Sequence, residues 1–423
     1  MKIVSAKDAI SKIAPYMRVM LPPGCAEPQI LIKEIISQRD RFHPLTLVGG
    51  FLFSNYSFIK EEYKDNFKYY TWHIMGRAKE GVKLGMAEFI PLRYIDIIET
   101  FSRTGSFPID VMLIHTSPPD ENGNLSLGVS VSYPLPIALQ APLVIAQINK
   151  KMPRTSGKSF IHESQVSFSV ECEENLVEYP LPRIGEVDKK IASYVSGLIP
   201  DGATLQVGIG NIPEAILMYL TDKKDIGIHS ILVDNMIPLI EKGIINNSKK
   251  SFNSGKMDIA EIMGTKRLFD FSNNNPVINM QDARFTHDPR IIGQIKNFIS
   301  VNSCIEIDLS GQINAETIGE LQISGIGGQF DFVLGAHWSE GGKSIFAFPS
   351  TSGKDGTNSR IVTGLSQGAK VSTPRFLADY VVTEYGIAEL KGRTLSQRAM
   401  ALINISHPKF RDELLEKWKK INH

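Results

Sequence analysis

Leu205-Gln206-Val207-Gly208-Ile209-Gly210-Asn211-Ile212-Pro213-Glu214-Ala215-Ile216-Leu217-Met218-Tyr219-Leu220 is the stretch on which the fold turns. A short apolar run ends at two glycines, and a helical pattern opens beyond them. Two glycines let the backbone approach a ligand closely, and the first N–H groups of a helix suit an anion or oxyanion. Pro213 fits the first turn of that helix. The pattern is not the dinucleotide GxGxxG, because Pro213 fills its last position. A tight strand-to-helix connector without a ligand would give the same letters.

The same alternation repeats in both directions. Leu45-Thr46-Leu47-Val48, Val111-Met112-Leu113-Ile114 and Leu143-Val144-Ile145-Ala146 are apolar on both faces, as strands covered by helices are. Residues 186–195 and 409–420 carry apolar residues at helical spacing. Residues 298–301, 344–348 and 380–383 are further strand candidates. Such alternation predicts an α/β fold with largely parallel sheets. Tyr179-Pro180-Leu181-Pro182-Arg183 breaks the pattern, and places domains at 1–185 and 186–423.

A chain of 423 residues, 42% hydrophobic, can bury a large core. Its 46 Lys+Arg against 45 Asp+Glu give no electrostatic case for nucleic acid. Cys25, Cys172 and Cys304 lie far apart with no metal spacing, which fits a reducing compartment. No apolar run approaches the roughly 20 residues that span a bilayer. The expectation is a cytoplasmic protein with no metal, no tightly bound cofactor and no membrane partner.

Other segments read more weakly. Ser324-Gly325-Ile326-Gly327-Gly328-Gln329 is a second Gly-rich loop, where a β-bulge is the plainer reading. Lys354-Asp355-Gly356-Thr357 is a polar turn that suits a phosphate or plain solvent. His229, Ser230 and Asp234 do not have the surroundings of a Ser-His-Asp triad, since no GxSxG flanks Ser230. His162 reads as a hydrogen-bonded core or site-wall residue rather than a metal ligand, Arg154 as the partner of a substrate carboxylate or a structural Asp, and Cys304 as a buried inert thiol.

Together and in this order, the segments are specific. Residues 117–128 and 152–162, the glycine turn at Gly208, Gly210 and Pro213, residues 307–316 with Asn314, the loop Gly325, Gly327, Gly328 and Gln329, residues 382–393 and residues 407–411 resemble the acetyl-CoA hydrolase/transferase family. Within it they resemble the 4-hydroxybutyrate and butyrate CoA-transferases in particular. The resemblance implies two similar open α/β domains with the active site in the cleft between them, and a homo-oligomer built on a dimer. It implies an acyl-CoA substrate held by Gly208, Gly210, Asn211, Pro213, Asn314, the second Gly-rich loop and Lys354. It also implies covalent chemistry, in which a glutamate attacks the thioester and becomes a glutamyl-CoA thioester.

That glutamate is the departure. The family reads roughly His-Thr/Ser-Glu where this chain has His229-Ser230-Ile231, so the resemblance puts Ile231 at the nucleophile position. Relatives usually carry an Asp four residues after the Glu, whereas Asp234 is three after Ile231, so a one-residue deletion falls here. Either placement leaves no carboxylate between His229 and Asp234. Three readings follow. An altered enzyme passes an acyl group from acyl-CoA directly to another nucleophile, with His229, His162 or Glu163 as candidate bases. A conventional CoA-transferase uses a displaced carboxylate, Glu163, Asp234 or Glu316. A non-catalytic protein or subunit binds acyl-CoA.

Overall fold

In the computed structural model, which describes residues 1–421, eight parallel strands form the N-terminal sheet. Their order is Lys2–Ile3, Phe168–Cys172, Leu143–Asn149, Val111–Thr116, Arg18–Met20, Leu45–Val48, Phe67–Thr71 and Ala87–Phe89. All six residues of Val111–Thr116 are buried, as expected when both faces of a parallel strand are covered. From Arg18–Met20 the chain winds outward one way through Leu45–Val48 to Ala87–Phe89. It then returns to Val111–Thr116 on the other side. The winding reverses between Arg18–Met20 and Val111–Thr116, the kind of point where open α/β sheets bind ligands at their carboxyl ends.

A second set of strands runs Gly227–Leu232, Thr204–Val207, Phe298–Asn302, Lys343–Ala347, Tyr380–Thr383, with Gly386–Glu389 closing the edge antiparallel. Its winding reverses between Thr204–Val207 and Phe298–Asn302. The segments expected as strands at 45–48, 111–114, 143–146, 205–207, 298–301, 344–348 and 380–383 are strands within a residue or so, apart from longer C-terminal ends at Val111–Thr116 and Leu143–Asn149. The helix expected from Glu214 begins earlier, at Asn211, and runs to Met218. Pro213 is tolerated there because the N–H groups of a first turn have no intrahelical acceptor. The helix expected over 409–420 spans Pro408–Ile421.

The chain clusters into two units. The first holds Met1–Leu181, Ser230–Asp234 and Met257–Thr286, and the second Pro182–His229, Asn235–Lys256 and His287–His423. Among the described residues no helix is long and apolar enough to cross a membrane.

Candidate active site

In the second unit the glycine turn sits at the winding reversal. Val207 pairs with Val301, so Gly208 leaves the sheet level with Asn302. Gly210, at φ +122, caps the helix Asn211–Met218. A Cβ at Gly208 or Gly210 would meet nothing within 4 Å. These glycines therefore border open space rather than permit close packing. A polar ladder runs along the same edge: Asn302 Nδ2 donates to Ser300 Oγ (2.8 Å), which donates to Gln206 Oε1 (2.9 Å).

The second Gly-rich loop converges on this edge. It is a turn that opens the helix Gln329–Trp338, not a β-bulge. Gln329 Nε2 donates to Ser303 O (2.6 Å), just past the end of Phe298–Asn302. Gly327 has φ +55 and open space beside it, whereas a Cβ at Gly328 would lie 2.6 Å from the His287 ring. Gly328 thus serves packing and Gly327 keeps space free. Gly325 is buried. Asn314 is fully buried, accepting from Glu316 N and Thr317 N and donating to Thr317 O. Lys354 is exposed on the turn joining Thr351–Ser352 to Asn358–Ser359. Asn211 is exposed, 3.4 Å from Asp188 Oδ2.

His229 is fully buried, edge-on to Phe298 at 5.6 Å and to Phe332 at 6.5 Å. His287, which sequence reasoning did not single out, lies 4.6 Å from the Phe332 ring. Burial, then the neighbouring His229, push the His287 pKa well below its ordinary value, so it is neutral at pH 7.

In the first unit several candidates are already engaged. Asp234 is buried and accepts from Thr265 N (2.8 Å) and Thr265 Oγ1 (2.7 Å), at the start of the helix Lys266–Ser272. Arg154 pairs with Asp120 (2.5 Å), donates to Asn124 O and Pro118 O, and lies over the Phe160 ring. It closes the 117–128 loop upon itself. His162 is exposed rather than in the core, because its ring caps its own turn: Nδ1 accepts from Ser164 N (3.2 Å). Glu163, half-buried, begins the turn Glu163–Gln165 that His162 caps. Ile231 is half-buried on Gly227–Leu232.

Sequence reasoning missed two buried acids whose pKa is raised. Glu27 follows Arg18–Met20 at the first unit's winding reversal and is capped by Phe53 N and Ser54 N. Burial raises its carboxyl pKa. Glu261 is bonded by Ser132 Oγ and Tyr94 Oη (3.2 Å), and burial pushes it up to about 8. The available signal was a lone acid in the apolar run Ile259-Ala260-Glu261-Ile262. Burial also pushes the thiols of Cys25 and Cys304 up to about 12, which makes both poor nucleophiles.

The N-terminal domain of the acetyl-CoA hydrolase/transferase family matches residues 1–180, and its C-terminal domain matches 264–418. The chain belongs to this family. It is 44% identical to a 4-hydroxybutyrate coenzyme A transferase of Clostridium kluyveri over 99% of this chain and 97% of that one. A crystal structure of RipA from Yersinia pestis is similar at TM-score 0.93 and 32% identity, covering 100% of this chain and 98% of the other. A 4-hydroxybutyrate CoA-transferase structure from Porphyromonas gingivalis gives TM-score 0.84 and 35% identity over 99% and 98%. The Clostridium kluyveri and Porphyromonas gingivalis proteins, both named 4-hydroxybutyrate CoA-transferases, thus span nearly the whole chain.

Proposed function

We propose that this protein binds an acyl-CoA as its family does and passes the acyl group directly to a nucleophile other than a glutamyl carboxylate. No mixed anhydride and no enzyme-bound CoA form along this route. The carrying observation is the segment from His229 to Asp234. It holds one carboxylate, Asp234, and both oxygens of that group accept hydrogen bonds from Thr265. Isoleucine and serine cannot form a glutamyl-CoA thioester.

Two further observations support this reading over a displaced carboxylate. Glu316 accepts from Ser372 Oγ (2.7 Å), and Glu163 belongs to a capped turn. The open space beside Gly208, Gly210 and Gly327 favours a retained thioester site over a merely structural loop. There the N–H groups that open the helix Asn211–Met218 would stabilise a developing oxyanion. A dimer-based cytoplasmic enzyme is part of the same reading. A panel of acyl-CoAs, with and without small amines, alcohols and acetate, tests it by free thiol release. Acceptor-dependent release without acyl-CoA/acetate exchange is expected. Exchange with acetate would return the protein to the ordinary family reaction, and binding without release would make it a binding protein.

A further inference from the structure

The helix Gln329–Trp338, which the second Gly-rich loop opens, packs along residues 287–293 of the same unit. Glycines mark that seam. A Cβ at Gly335 would lie 2.4 Å from Ile292, and one at Gly293 would lie 2.9 Å from Trp338 Cβ. One at Gly328 would lie 2.6 Å from the His287 ring and 2.7 Å from the Phe332 ring. Gly293 and Gly328 have φ −61 and −89, backbone open to any residue. Close packing, not conformation, therefore asks for glycine at both. Gly335 weakens the interior of its helix, and its close approach to Ile292 offsets that.

His287 closes the seam at the loop. Its ring lies 4.6 Å from that of Phe332, whose N–H donates to Gly328 O (3.0 Å). The neighbouring Asp288 fixes the turn that carries His287. It is buried, accepts from Arg290 N (2.8 Å) and pairs with the Arg290 guanidinium (2.7 Å). Gln329 ties the same loop to Ser303 O.

We propose that His287 is a positioning residue of the acyl-CoA site. Its ring stands where a side chain at Gly328 would, and so sets the height of the second Gly-rich loop and the space kept free beside Gly327. The hold on the loop stands without the proposed function, whereas the effect on acyl-CoA rests on it. Without the ring, only Phe332 supports the loop at Gly328. With a methyl on Gly328, the loop must lift by about 0.8 Å to bring 2.6 Å up to an ordinary 3.4 Å contact. A shift of that order beside a bound substrate costs about 100-fold in rate.

Hydrogen exchange of the ligand-free protein and acyl-CoA-dependent thiol release, read on the same variants, test it. His287→Ala is expected to speed exchange at residues 324–329, leave it unchanged at 208–213, and slow release about 10-fold. Gly328→Ala is expected to slow release about 100-fold. The two together are expected to release thiol faster than Gly328→Ala alone, because the methyl then enters the space that the ring left. A residue serving only global stability would quicken exchange throughout the unit instead, and that pattern overturns the proposal. So does wild-type exchange at 324–329 in His287→Ala, or a pair no faster than Gly328→Ala alone. If His287→Ala does not fold, His287→Asn, which removes the ring and keeps a polar side chain, takes its place. Wild type that releases no thiol would sink the proposed function, and the exchange pattern would still decide whether His287 holds the loop.

Discussion

Replacing Glu261 with Gln will stabilise the first unit near neutral pH, by an amount that grows as pH rises. Glu261 is buried with Ser132 and Tyr94, and burial raises its carboxyl from 4.5 to about 8. The folded protein therefore keeps this proton up to about pH 8, while the unfolded chain gives it up near 4.5. Between those values the unfolded state binds fewer protons, so stability falls with rising pH by about 1.4 kcal/mol per unit. By pH 7 the accumulated loss is about 3 kcal/mol. Gln stays neutral and escapes it. Its Oε1 still accepts from the Ser132 and Tyr94 hydroxyls, but its NH2 buries a second proton donor where the acid had one, a cost of about 1 kcal/mol. The net gain at pH 7 is about 2 kcal/mol, or about 5 °C in Tm at this unit's size. Glu27 is shifted the same way but is present in both proteins, so it cancels from the difference. Calorimetry of wild type and Glu261→Gln from pH 5 to 8 reads the effect. A Tm difference that is flat with pH, or that shrinks as pH rises, refutes the reasoning.

Asp234→Ala should cost about 2–4 kcal/mol in urea unfolding, because it strands the Thr265 N–H and hydroxyl. A purely catalytic Asp234 would leave stability unchanged. Gly210→Ala should destabilise by about 1–3 kcal/mol through its φ +122, ψ −175 backbone alone, a region open essentially to glycine, since its Cβ has open space. A larger loss would mean that the turn is packed rather than open. In the native protein a thiol reagent at pH 8 should modify the half-buried Cys172 faster than Cys25 or Cys304, both buried. Peptide mapping that finds Cys25 labelled first would contradict that burial.

The strands were legible because a strand covered on both faces has little freedom in composition, as Val111-Met112-Leu113-Ile114 illustrates. The glycine turn was legible because Gly208, Gly210 and Pro213 each answer a backbone demand that few other residues meet. What each glycine does was not. Gly327 faces open space while Gly328 is pressed against His287, and no letter distinguishes them. Nor did the sequence reveal the engaged groups. Arg154 meets Asp120 across 34 residues and Asp234 meets Thr265 across 31, through contacts that only the folded chain makes. Ser230, at φ +84 inside the strand Gly227–Leu232, reads as an ordinary small polar residue, because backbone strain leaves no mark on composition.

The central claim is that no glutamyl-CoA forms on this protein. Intact mass of the wild type after incubation with acetyl-CoA and butyryl-CoA, with thiol release followed in parallel, tests it most directly. Free thiol without any gain of the mass of CoA is the predicted result. A CoA adduct mapping to any carboxylate of the chain would contradict the account and restore the family's ordinary mechanism.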